Sequence, residues 1–400
     1  MSIGTCVIGI DIGTTSTKAV VFSHAGHPLA KHSVEYPTLN PAPSVSEQDP
    51  DEIFQAVLES LAGCLRKGKI SGDKVSCISF SSAMHSVIAV DSYGTPLTKS
   101  ITWADNRSAE WAEKIKNEMN GHQIYERTGT PIHPMSPLSK VVWMRHECCP
   151  LFREIHKFIS IKEYVFLKLF GCYVVDHSIA SATGLFNLEK LDWDQEALDI
   201  AGITKDQLST PVPTTHILKG CKEEYLAYTG LPADTPFVVG ASDGVLSNIG
   251  ADALDAGTVA ITIGTSGAIR AVVDEPITDP AGRTFCYALT ENHWVIGGPV
   301  NNGGMVLRWV RDELAGAEME RAKRLGVDPY DMLLKMASTV SPGSDGLLFH
   351  PYMSGERAPL WNAHARGSFF GLSMYHKKEH MIRAVMEGIL YNLYSVLLIV

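Results

Sequence analysis

Residues 8–21 read as an apolar strand, a turn of small hydroxylated residues, and a second apolar strand. The turn is Gly13-Thr14-Thr15-Ser16, with Thr17 and Lys18 opening the return strand. Residues 260–273 repeat the design, as Ile261-Thr262-Ile263-Gly264-Thr265-Ser266-Gly267 leads to the return strand Ala271-Val272-Val273. Between these hairpins, helical and extended periods alternate. Asp49-Pro50-Asp51 opens a predicted helix that ends near Gly68 and carries Ile53, Phe54, Val57, Leu58, Leu61 and Leu65 on one face. Residues 75–80 predict a buried strand, 86–90 the next one, and Tyr93-Gly94-Thr95-Pro96 a turn after it. Residues 160–169 predict a helix, 173–176 a strand with a polar turn, and 210–216 a surface connection. Residues 236–240 form a further predicted strand that runs directly into Ala241-Ser242-Asp243-Gly244. Such alternation predicts an α/β architecture.

With 400 residues and 45% apolar content, the chain can bury two substantial cores. The boundary is expected within residues 245–257, giving domains of 1–246 and 247–400. A formal net charge of −10 without a basic run argues against a nucleic-acid partner. Any anionic ligand must therefore be held by local donors. Eight cysteines without a Cys-x-x-Cys pair suit reduced thiols in a cytoplasm. No apolar run reaches membrane-spanning length, so no membrane partner is expected. Residues 384–400 are helical in character and finish on an apolar stretch, so further native sequence is expected beyond Val400.

Asp11 lies inside the first strand, where burial is costly unless a metal or other partner offsets it. The Gly13–Ser16 turn offers backbone N–H groups and hydroxyls with little bulk, which suits nucleotide phosphates and a divalent cation. An ordinary hairpin with a solvated aspartate is the competing reading. The second hairpin has Thr262 in place of Asp11, so two similar lobes would face one nucleotide and only one would supply a metal carboxylate. Asp243 closes a predicted strand on a tight turn, where ligand sites of α/β sheets gather. A carboxylate there can accept the proton of a hydroxyl attacking phosphorus; alternatively it caps a helix starting near Val245. Met84-His85 offers a polyol an apolar wall and a hydrogen bond, unless the histidine is merely solvated. Trp103-Ala104-Asp105-Asn106-Arg107 combines a ring, a carboxylate, an amide and a guanidinium, as sugar sites do, although a salt-bridged surface loop reads the same way. Residues 297–304 are glycine-dense before a predicted helix at 305–314, and can approach phosphate or form a flexible loop. Ser354-Gly355-Glu356-Arg357-Ala358-Pro359 reads as structural when taken alone.

With these residues the chain resembles the FGGY carbohydrate kinases, of the actin, hexokinase and heat-shock ATPase superfamily, over about residues 6–390. The C-terminal signature is Gly367-Ser368-Phe369-Phe370-Gly371-Leu372, then His380-Met381 and Ala384-Val385-Met386-Glu387. A second signature runs from Met135 through Lys140 and Trp143 to His146-Glu147, with His146 departing from the usual residue types. The resemblance implies two ribonuclease-H-like domains facing a central cleft that binds ATP and sugar. It implies Asp243 as catalytic base and Asp11 as the residue that positions Mg²⁺. Gly13, Thr14, Thr15, Ser16, Lys18, Gly264, Thr265, Ser266 and Gly303 would hold ATP. Met84, His85, Trp103, Asp105, Asn106, Arg107 and Asp243 would meet the substrate, a sugar acid or polyol, and a homodimer is compatible with it. The 84–107 loops look most like members that phosphorylate D-gluconate. Xylulose and other pentuloses or polyols are the alternative: xylulokinases share the Met-His pair but usually carry Gln before it and Gly after it, where this chain has Ala83 and Ser86. Arg107 and Lys140 are the cations offered for the gluconate carboxylate. The glycine-rich segment that holds adenosine in the family is absent from these 400 residues. Two other classes compete: an ATP-driven switch or filament protein, and a sugar sensor without turnover.

Overall fold

Strands β1 (Cys6–Ile12) and β2 (Ser16–Ser23) form the first predicted hairpin, and β3 (Pro28–Glu35) continues it antiparallel. Cys6, Ile8, Ile10 and Ile12 are buried on β1, alternating with more accessible residues as a strand's period of two requires. This computed structural model describes residues 5–400. Helix α1 (Pro50–Gly68) begins where predicted. Asp49 accepts from the Asp51 and Glu52 amides, proline occupies the first turn, and Lys69 ends the helix at φ 52°. Its six predicted apolar positions are all buried. Strand β4 (Val75–Ser82) then runs parallel to β1.

Helix α2 (Pro137–Glu147) lies in a second apolar core, while α3 (Ile161–Phe170) packs in the core shared by the sheet and α1. A reciprocal Ser160–Glu163 capping box starts α3 at the predicted place. Strand β5 (Val174–Asp176) passes into the short helix α4 (His177–Ser181), with Asp176 as its cap. Strands β6 (Ile217–Leu218) and β7 (Phe237–Ser242) and helix α5 (Asp243–Gly250) complete this part. The main sheet has the order β6-β7-β4-β1-β2-β3. Two sequence expectations change. The predicted strand at 86–90 shortens to Ile88–Val90. The supposed surface connection at 210–216 contains Thr210–Val212, paired parallel with β5, and its Val212 is buried. Pro211 sits at that two-stranded edge, where its missing N–H costs little.

The chain divides into a first unit of Met1–Asp252 with Val273–Thr278 and Cys286–Val295, and a second of Ala253–Val272, Asp279–Phe285 and Ile296–Val400. The second unit holds the hairpin of β8 (Val259–Ile263) with the 267–272 part of β9 (Gly267–Val273), and the 296–300 part of β10 (Trp294–Val300). Helix α6 (Gly304–Trp309) continues as a π-helical turn over Val310–Leu314. Its Val306 and Val310 pack with Ile382, Val385 and Ile389 of α7 (Lys378–Leu397).

Candidate active site

The first turn is braced from within and from outside the hairpin. The Gly13 amide donates to the Ser16 carbonyl at 3.0 Å, and the Tyr36 hydroxyl donates to the Gly13 carbonyl at 2.7 Å. The Gln48 amide reaches the Thr14 carbonyl at 2.5 Å, and the Trp103 indole donates to Thr14 Oγ1 at 3.2 Å. Burial, countered by Thr17 and assisted by the charge of Asp11, pushes the Tyr36 hydroxyl up to about 12, so it stays a donor at neutral pH. Asp11 Oδ1 is buried and has no hydrogen-bond partner among the described residues. Such an atom fits a hard cation, whose charge would satisfy it. Among the described residues no group of three or more His, Cys, Asp or Glu is placed to hold a metal. A magnesium ion at Asp11 would therefore draw its other ligands from water and phosphate, as this ion commonly does.

The second turn resembles the first but is shorter. Four residues separate Ile12 from Thr17 in the β1–β2 register, while three separate Ile263 from Gly267 in β8–β9. Thr262, at the position equivalent to Asp11, accepts from Arg270 Nη1 at 3.2 Å. The glycine-dense stretch is built tightly onto this turn. Gly304 donates to the Gly264 carbonyl at 2.7 Å, and Gly303 and Met305 each donate to the Thr265 carbonyl at 3.2 Å. A Cβ on Gly303 would lie 2.7 Å from the Ser266 backbone, and one on Gly304 would lie 2.8 Å from the Gly264 oxygen. Both glycines are needed for this close approach. Behind them, fully buried Glu356 accepts from the Asn301 amide at 2.6 Å, Asn302 Nδ2 at 3.1 Å and Asn392 Nδ2 at 2.8 Å. Burial raises its carboxyl above the usual range, and the surrounding donors oppose the rise.

Met84 and Trp103 reach the first turn: a small cavity is lined by Gly13, Thr14, Gln48, Met84, Thr102 and Trp103. His85 is held at φ 69°, with Nδ1 2.7 Å from the Ala182 carbonyl. That contact directs Nε2 away from this carbonyl. Asp105 is buried and is taken up internally: it accepts from the Ser46 amide at 2.9 Å and from Arg107 Nε at 3.0 Å. Arg107 also reaches Glu47 Oε1 at 2.5 Å and lies 4.8 Å over the Trp143 ring. Asn106 is exposed beside them. Lys140 is fully buried and donates to the His85 and Thr102 carbonyls, each at 2.7 Å. Both cations offered for a substrate carboxylate are thus engaged within the protein. The Asp105–Arg107 pair is the salt-bridged loop that the sequence allowed, whereas the Glu47 contact of Arg107 and both carbonyl partners of Lys140 lie far along the chain and are not visible there.

Asp243 is the first residue of α5, with an exposed side chain whose Oδ1 accepts from the Gly244 amide at 2.6 Å. The helix cap is Ser242, so the reading of Asp243 as the cap does not hold. Gly240, at φ 68°, marks a register shift of β7 against β4, and a Cβ there would fall 1.8 Å from the Phe80 oxygen. This bulge aims the strand end. Ser178 Oγ accepts from the Ser242 amide at 3.1 Å and donates to Ser242 Oγ at 3.0 Å. Fully buried Lys162 donates to the Ala241 carbonyl at 3.1 Å and pairs with Asp176 Oδ2 at 2.6 Å. Burial pushes the Lys162 ammonium down, and Asp176 pulls it back up. The sequence reading missed Tyr36, Gln48, Lys162, Asp176 and Ser178 as supports. Lys162, charged in a helix whose other residues are mostly apolar, is the one signal it carried.

A three-strand antiparallel start flanked by parallel strands, a glycine turn after a strand that carries Asp11, and a second glycine turn after one that carries Thr262 define an α/β fold of the actin-like ATPase type. Comparison with known proteins agrees. Residues 6–250 match the N-terminal domain, and residues 259–399 the C-terminal domain, of the FGGY family of carbohydrate kinases. A gluconokinase from Bacillus subtilis (strain 168) is 61% identical over 98% of this chain and 76% of its own length. The crystal structure of gluconate kinase from Lactobacillus acidophilus matches with a TM-score of 0.92 and 44% identity, covering 98% of this chain and 77% of that one. A ligand-bound xylulose kinase from the same organism matches with a TM-score of 0.92 and 43% identity, covering 98% and 78%. The chain belongs to the FGGY family of carbohydrate kinases. It is a phosphotransferase with an alcohol group as acceptor and ATP as donor.

Proposed function

We propose that this kinase transfers the terminal phosphoryl group of ATP to D-gluconate, giving 6-phospho-D-gluconate and ADP. The 61% identity to a curated gluconokinase over 98% of the chain carries the substrate assignment. Asp243, exposed on a rigidly held strand end, is the proposed general base. It takes the proton of the attacking hydroxyl while that oxygen bonds to phosphorus and the bond to the ADP oxygen breaks. Asp11 would hold Mg²⁺, which supplies charge neutralisation at phosphate oxygens. Gly13, Thr14, Thr15, Ser16 and Lys18 are proposed to bind phosphate in the first unit, and Gly264, Thr265, Ser266 and Gly303 in the second. Met84, His85, Trp103 and Asn106 are the proposed sugar contacts, with Asp105 and Arg107 shaping that loop. All eight cysteines are free thiols and no described helix is long and apolar enough to cross a membrane, which supports a cytoplasmic setting.

Phosphorylation is measured across D-gluconate, D-xylulose, L-ribulose, glycerol and a no-sugar control, with ATP and Mg²⁺. Selective turnover of D-gluconate is expected. The 43% identity to a structure titled xylulose kinase favours xylulose as the second reading, and a preference for D-xylulose would establish it instead. For the second turn, Gly303→Ala is expected to raise KM for ATP about tenfold, because the added Cβ, 2.7 Å from the Ser266 backbone, must push the turn out of place. An unchanged KM for ATP would remove Gly303 from the nucleotide assignment.

A further inference from the structure

Lys140 connects two segments that are distant in sequence and adjacent in the proposed sugar site. One contains Met84 and His85; the other begins at Thr102 and carries Trp103 to Arg107. The ammonium is fully buried in α2 and donates to one backbone carbonyl of each segment, at 2.7 Å in both cases. The His85 carbonyl belongs to a residue at φ 69°, a conformation that costs a non-glycine residue energy and persists only when its surroundings impose it. The contacts that hold it include the His85 ring on the Ala182 carbonyl, its edge-on packing against the Tyr287 ring, and Lys140 on the His85 carbonyl. The Thr102 side chain is held separately, by Ser46 Oγ at 2.7 Å, while its carbonyl accepts from Lys140 at 2.7 Å and from the Asp105 amide at 3.2 Å.

We propose that Lys140 is a positioning residue for sugar binding, acting as a brace that fixes the 84–85 and 102–107 segments relative to each other without touching the substrate. This rests on the reading that the sugar lies against those two segments. An ammonium suits the task because its three N–H groups can serve two carbonyls at once and its charge strengthens both bonds. Burial pushes Lys140 down to about 7, with Asp105 pulling it up and Arg107 pushing it further down. The groups facing it are these two, together with the His85 and Thr102 carbonyls. Because the brace is charged below that value and loses its charge above it, sugar affinity is expected to fall as pH rises through neutrality.

The test compares the unmodified enzyme with Lys140→Met and Lys140→Gln, measuring KM for D-gluconate and KM for ATP from pH 6 to 9. In the unmodified enzyme, KM for D-gluconate is expected to rise severalfold across that range while KM for ATP holds steady. Lys140→Met is expected to raise KM for D-gluconate at least tenfold at pH 6 and to abolish the pH-dependent rise. Lys140→Gln, which keeps an N–H donor, should fall between the two. A flat KM for D-gluconate in the unmodified enzyme overturns the proposal, even if neither variant folds. So does a folded Lys140→Met enzyme with unchanged KM for the sugar, or one in which both KM values rise together. Absence of turnover with D-gluconate in the unmodified enzyme would instead overturn the substrate reading on which the proposal rests.

Discussion

Asp243→Asn is expected to lower kcat by about a thousandfold or more while D-gluconate still binds. Removing a general base commonly costs 10²- to 10⁴-fold, and the asparagine keeps an oxygen that can accept the substrate hydroxyl but cannot take its proton. The surroundings favour a clean result. Asp243 is exposed, it is not the helix cap, and it accepts from the adjacent Gly244 amide at 2.6 Å, a bond that the asparagine oxygen can keep. The strand end beneath it is fixed by Ser178 and Lys162, which the substitution leaves alone. Calorimetric titration with D-gluconate alongside turnover measures both quantities. Near-normal kcat would remove Asp243 from the role of base. Loss of sugar binding together with turnover would recast it as a substrate contact.

Lys162→Met is expected to destabilise the first unit by about 3–5 kcal/mol, because it leaves the fully buried Asp176 carboxylate without its cation. For a unit of this size the loss corresponds to a fall in Tm on the order of 10 °C. The double variant Lys162→Met/Asp176→Asn should recover much of that loss, since no uncompensated charge remains. In the surviving folded protein, kcat should fall more than either KM, because the Ala241 carbonyl next to the Asp243 turn loses its donor. A Tm within about 2 °C of the unmodified protein would show that the pair contributes little, as exposed pairs do.

Much of the fold was legible along the chain. The Asp49-Pro50 start of α1, the Ser160–Glu163 box of α3 and both glycine hairpins act through neighbours within a few residues, so local pattern locates them. The π-helical continuation of α6 was not legible, because 305–314 shows one continuous helical period. Nor was the pairing of Thr210–Val212 with β5, which depends on a partner more than thirty residues away. The single apolar core expected of an N-terminal domain is two, one around the main sheet and one beneath the 84–107 loops and α2. Counting apolar residues bounds the buried volume without saying how it is partitioned.

The candidate site divides along the same line. Sequence by itself determined which chemistry is present: a carboxylate before a glycine turn, a second such turn without one, and an aspartate where β7 ends. These are covalent neighbours, and their spacing is their geometry. Tertiary structure decided which charged groups are available to a ligand. It tied Arg107 to Glu47, enclosed Lys140 between two carbonyls and placed Lys162 against Asp176, while leaving Asp243 exposed and Asp11 Oδ1 buried without a partner among the described residues. The reason is physical: a buried charge must find compensation, and in a folded chain the compensating atoms come from wherever packing brings them, not from adjacent residues.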